Sequence, residues 1–77
     1  MEELLAYLAR SLVDEPGQVS VEEFEEEDGT LVLELRTADA DAGKVIGRGG
    51  RTVAALRTVM RACGARHGRR VLVDVVD

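Results

Sequence analysis

The ten residues GKVIGRGGRT, positions 43–52, hold four glycines and three basic side chains. Glycines at that density are costly to order, because each loses more backbone entropy on folding than any other residue. Lys44, Arg48 and Arg51 set cations around them. Bare backbone ringed by positive charge is what a phosphate-bearing ligand needs in order to approach closely. Two familiar phosphate devices fail here on spacing. A P-loop needs G-x-x-x-x-G-K-[ST] after a buried strand, but Val45 follows Gly43-Lys44 and Arg51-Thr52 is not a Lys-Ser/Thr pair. A dinucleotide fingerprint needs G-x-G-x-x-G between strand and helix, and Gly47-Arg48-Gly49-Gly50 lacks the final spacing and follows a helical pattern.

What remains is a G-x-x-G turn between two helices, Gly47 to Gly50, led in by Val45-Ile46. A Cβ at Gly47 or Gly50 would hold a sugar-phosphate strand away from the turn. The following helix would then aim its unpaired N–H groups and partial positive charge at phosphate. This is the loop with which a KH domain clamps about four nucleotides. The alternative is a plain helical corner in which the glycines only relieve sterics; the cations and the I-G lead-in argue against it.

Other chemistry is thin. His67 has no orienting carboxylate or nucleophile in its segment, as a general base would need. Cys63 falls on the apolar arc of a helix and is expected in the core. One Cys and one His do not make a structural zinc site, and the acidic run 25–28 lacks calcium-loop spacing. Tyr7 and Phe24 are the only aromatics, so bases would rest on aliphatic side chains, with Ile46 and Val53 as the floor. No enzyme activity and no cofactor are expected.

The elements that must hold the loop follow from periodicity. Leu5, Leu8 and Leu12, widened by Leu4, Ala9 and Val13, predict a helix over 2–13 ended by Pro16-Gly17. Val19 and Val21 alternate into a short strand, Asp28-Gly29 signals a hairpin, and Leu31, Leu33 and Leu35 alternate through a second, antiparallel strand. "ADADAGKVI" predicts a helix of about two turns, with Asp39 or Asp41 as N-cap. A further helix runs to Gly64, with Val53, Leu56, Val59, Met60 and Cys63 on one arc and Arg57 and Arg61 outside it. Val71, Val73 and Val75 alternate inward along a last strand, leaving Val32, Leu72 and Val76 on the opposite face. The expected fold is α+β in the order α-β-β-α-α-β, a three-stranded sheet covered on one face by three helices. It forms one domain over 1–77: helix and hairpin 1–37, helix-loop-helix 39–64, terminal strand 70–77.

Charge is divided along the chain. Residues 1–42 carry thirteen acidic side chains against two basic, a net of −11, and residues 43–77 carry eight basic against two acidic, a net of +6. That asymmetry points to a polyanionic partner for one half and suits the acidic half to repelling phosphate. No run approaches the ~20 apolar residues of a membrane span. Met1-Glu2-Glu3 is unlike a signal peptide, and the single cysteine fits a reducing compartment, so the expected address is the cytoplasm.

"DAGKVIGRGGRTVAALRTVM" and the order of the elements resemble the small bacterial single-KH-domain family KhpA, over the whole chain. Members commonly carry Lys and Gln where this chain has Arg48 and Gly49. The resemblance implies the type II, prokaryotic KH arrangement and an RNA-binding protein acting as an RNA chaperone. It also implies pairing with the KH protein KhpB and a link to cell-wall homeostasis and cell shape. The expected site is a groove for single-stranded RNA, edged by the glycine loop on one side and the "ARHGRR" turn with the last strand on the other. Its residues are Lys44, Ile46, Gly47, Arg48, Gly49, Gly50, Arg51, Thr52, Val53, Arg69 and Arg70. A small-molecule substrate and a membrane are not expected; a homodimer, a heterodimer with another KH protein, or both in exchange are. The rival is a protein-interaction module whose KH partner binds the RNA.

Overall fold

The computed structural model describes residues 1–76; Asp77, the last residue of the expected terminal strand, lies outside them. Leu31, Leu33 and Leu35 of strand β2 (Leu31–Arg36) are buried on one side of the sheet, as alternation requires. β2 is central. Strand β1 (Ser20–Glu25) pairs with it antiparallel, from Ser20 opposite Arg36 to Glu25 opposite Leu31. The turn between them closes through Thr30 N–H donating to Asp28 Oδ1 (2.8 Å), with Gly29 at φ 88°.

Strand β3 (Val71–Val76) lies on the other side of β2 and runs parallel to it, Leu31 opposite Val71 and Val76 opposite Arg36. Parallel neighbours need a long crossover. The crossover here carries helix α2 (Ala42–Ile46), the glycine turn and helix α3 (Arg51–Arg66). With helix α1 (Glu2–Arg10), these cover the leucine face, and Leu5, Ala9, Val45, Leu56 and Met60 complete the core. The fold is thus the expected α+β arrangement, with a mixed sheet. Among the described residues no helix is long and apolar enough to cross a membrane.

Four expectations about the helices need correction. Helix α1 stops at Arg10, well before Pro16, and Leu12 is exposed. Ser11 Oγ donates to the Tyr7 carbonyl oxygen (2.9 Å), and the N–H groups of Asp14 and Glu15 turn to the Asp41 carboxylate. The chain leaves the helix to meet that buried acid. Asp41 does hold the N-cap position of α2, but neither its side chain nor that of Asp39 caps a helix N–H; a 3₁₀ turn over Asp39–Asp41 leads into α2.

Gly64 does not end α3. It lies buried inside the helix where α3 meets β3, and a Cβ there would reach within 2.7 Å of the Arg69 carbonyl oxygen and overlap the Val71 side chain. The terminator is Gly68, at φ 68°: its N–H donates to Ala65 O and that of Arg69 to Gly64 O, a Schellman pair. Contact with β3 at Gly64 also turns the buried arc of α3 to Val53, Leu56, Met60 and Gly64. Val59 is left 44% exposed and Cys63 half-buried.

Candidate nucleic-acid interface

Three successive backbone choices make the turn. Gly47 closes α2 at φ 77°, ψ 169°, Gly49 sits at φ 63°, ψ 19°, and Gly50 opens α3 from the left-handed region at φ 75°, ψ 15°. The φ near +77° with extended ψ at Gly47 is a conformation adopted almost only by glycine. The two outer glycines serve different ends. A Cβ on Gly47 would point inward, overlapping the Thr52 side chain and coming within 2.9 Å of Thr52 N. A Cβ on Gly50 would meet nothing within 4 Å. Close approach from outside is therefore an affair of Gly50, whereas Gly47 is needed so that the turn can fold onto Thr52.

Gly50 is the N-cap of α3 and brings no side chain to the first-turn N–H groups. Arg48 and Arg51 flank them, both exposed and, among the described residues, without a carboxylate partner. Thr52 is half-buried against Gly47. Ile46 stays exposed beside the turn, while Val53 is buried behind it.

Lys44 faces elsewhere. Its ammonium is held by Asp14 and, at 3.5 Å, by Asp41 Oδ1. The hydrogen bond to Asp14 raises its pKa above the ordinary 10.5 against the opposing effect of burial, with the charges of Asp14 and Asp41 adding to the rise. Its charge is already matched before any phosphate arrives. Burial pushes Asp41 up, but the N–H groups of Glu15 and Asp14 and the Lys44 ammonium outweigh it, holding the carboxyl below the ordinary 3.8.

A carboxyl depressed in the folded state contributes stability above its unfolded pKa and loses it as pH falls through the folded one. Asp41→Asn is accordingly expected to lower the urea midpoint at pH 7 and to converge with the parent as pH falls below about 3.8. Paired urea melts at pH 7 and pH 3 check this; an equal gap at both would mean that ionisation of Asp41 contributes nothing.

The two parts of the expected groove stand at opposite ends of α3. Gly64 touches Val71, and Arg57 Nε donates to Val73 O (3.1 Å), so α3 and β3 run antiparallel. The sixteen residues of α3 span about 24 Å at 1.5 Å per residue, which separates the glycine turn from the basic turn at 66–70. Arg69 is engaged there by Glu25 Oε1 (2.5 Å) and Gly29 O (3.2 Å) across the acidic hairpin, whereas Arg70 is exposed. Between the two ends lie Arg57 and Arg61, which sequence reasoning left outside the site. Arg57 is seven residues beyond Gly50 and so lies on the same stripe of the helix, a spacing legible in the sequence once Gly50 is taken as the turn's outer edge.

The family model described as KhpA/KhpB, KH domain matches residues 2–75. The chain belongs to this family. It is 46% identical over 76 residues to an RNA-binding protein KhpA of Treponema pallidum, covering 99% of this chain and 94% of that one. It is also 43% identical over 75 residues to its counterpart in Borreliella burgdorferi, covering 97% and 90%. With that of Clostridium acetobutylicum it shares 43% identity over 76 residues, 99% of this chain and all of the relative.

Proposed function

We propose that this chain binds single-stranded RNA along the groove between α3 and the outer edge of β3, with the glycine turn clamping the backbone. The carrying observation is Gly50, whose open Cβ direction and uncapped helix N-terminus stand between Arg48 and Arg51, exposed cations with no carboxylate partner among the described residues. The family's RNA-binding members support the same conclusion. Few aromatic platforms and about four nucleotides per groove give modest affinity, suited to a cytoplasmic RNA chaperone that engages and releases many RNAs.

A second observation supports pairing. Leu8, Leu12, Ala55, Leu56 and Val59 line a shallow apolar cleft between α1 and α3, with Leu4 exposed beyond it. We place there a second KH domain, from another copy or from a KhpB-like protein. A second groove makes the next RNA contact intramolecular and raises avidity by roughly 10²–10⁴.

One experiment reads both. Sedimentation of the protein with a labelled single-stranded RNA across a salt series is expected to show a pair at micromolar protein. The RNA affinity should fall with a log–log slope of about −2, at roughly −0.7 for each of three phosphate contacts. A salt-independent affinity would remove the phosphate clamp, and RNA bound only after a KH partner is added would favour the interaction-module reading.

A further inference from the structure

The outer edge of β3 carries one side chain that the RNA reading above does not use. The bond from Leu31 N–H to Arg70 O sets the register in which even-numbered residues of β3 face β2. Val71, Val73 and Val75 therefore turn their main-chain N–H and C=O groups to the open edge. At the middle of that edge the Val73 carbonyl is already occupied, by the Nε–H of Arg57 at 3.1 Å. Among the described residues no carboxylate pairs with Arg57.

Its Nε bond anchors the guanidinium against the strand and leaves the terminal nitrogens without a partner among the described residues. Arginine carries five N–H donors in a fixed fork and no acceptor. With one lone pair of Val73 O taken by Nε–H, what the Arg57 side chain presents at this level is its terminal N–H donors. It stands about 10 Å along α3 from Gly50, at 1.5 Å per residue. That is within the reach of a strand clamped at the turn.

We infer that Arg57 selects the base in the middle of the groove, its anchored guanidinium taking the O6 and N7 acceptors of a guanine and rejecting adenine. The inference rests on the RNA-groove reading and adds to it a base preference. A splayed base in single-stranded RNA offers its Hoogsteen edge to side chains. Guanine presents two adjacent acceptors on that edge, matching the fork, whereas adenine puts an amino donor in place of O6. Set against the guanidinium, that amino group meets a donor with a donor and forfeits the second bond of the fork.

Fluorescence anisotropy with short UUG-repeat and UUA-repeat RNAs tests this. The parent protein is expected to prefer the guanine repeat by about 5- to 150-fold, the range that one bidentate arginine–guanine pair confers. Replacing each guanine by 7-deazaguanine, which lacks the N7 acceptor, should remove most of the preference. Arg57→Lys keeps the charge but not the fork, and should bring the two RNAs within about twofold; Arg57→Ala should do the same, with circular dichroism confirming the fold of both. Equal affinity of the parent for the two repeats overturns the assignment, as does a preference that survives in Arg57→Lys. Failure of the parent to bind either RNA at low salt would instead overturn the groove reading beneath it.

Discussion

Aspartate at both Arg48 and Gly49 is expected to leave a folded protein that no longer holds single-stranded RNA. Both positions are exposed, and a Cβ on Gly49 would meet nothing within 4 Å. The left-handed backbone at Gly49 (φ 63°) makes a side chain there cost about 1 kcal/mol, with aspartate among the residues that tolerate it best. The electrostatic change is far larger. One cation is lost and two anions gained at the mouth of the turn, three units of charge against phosphate. At about 1 kcal/mol per unit near 4 Å in water, affinity should fall on the order of 100-fold. Filter binding at fixed low salt, with circular dichroism beside it, is the measurement. A folded double variant with parental affinity would move the RNA away from the turn altogether.

Gly47→Ala should fail in the opposite manner, through the fold before the ligand. The backbone at φ 77°, ψ 169° is strained for any residue with a Cβ, at about 1–3 kcal/mol. The new methyl would also run into Thr52, including its main-chain nitrogen, an overlap whose relief costs a further ~1–3 kcal/mol. Together these approach the whole stability of a small domain, about 5 kcal/mol at the low end. Gly50→Ala, with open space in front of it, should cost only about 1–2 kcal/mol yet hold the RNA backbone off. Urea midpoints for the two variants, together with Gly47→Ala/Thr52→Ala, test the distinction. The added Thr52 change should recover only part of the loss, because the strain and the main-chain overlap persist. Equal midpoints for Gly47→Ala and Gly50→Ala would show that the turn does not rest on Thr52.

These two variants also mark what the residues disclosed by themselves. The alternation of Leu31, Leu33 and Leu35, the Asp28-Gly29 turn and the glycine spacing are local signals, and the local structure follows them. What stayed hidden depends on partners distant in sequence. Helix α1 ends early because Asp41, 27 residues from Asp14, draws the chain to itself. A glycine inside a helical pattern resembles a stop, and only the approach of β3 explains why Gly64 is not one. The same contact rotates α3 enough to expose Val59. Lys44 counted as a phosphate ligand from its neighbours in the chain, yet its neighbours in space are Asp14 and Asp41. Arg57 patterned as solvent-facing because the strand edge it touches arrives sixteen residues later.

The position of β2 between one antiparallel and one parallel neighbour sets an order in time. Every N–H along β2 faces a partner strand, Leu31 toward β3 and its successors alternately toward β1 and β3. Along β1 and β3 alternate N–H groups face outward, where water reaches them without any strand separating. Deuterium from solvent therefore enters the two edges through small local fluctuations but enters β2 only when the sheet itself comes apart. The slowest-exchanging amides of β2 are a clock for global unfolding. The groove edge of β3, exchanging on a separate and faster scale, registers ligand protection without disturbing that clock.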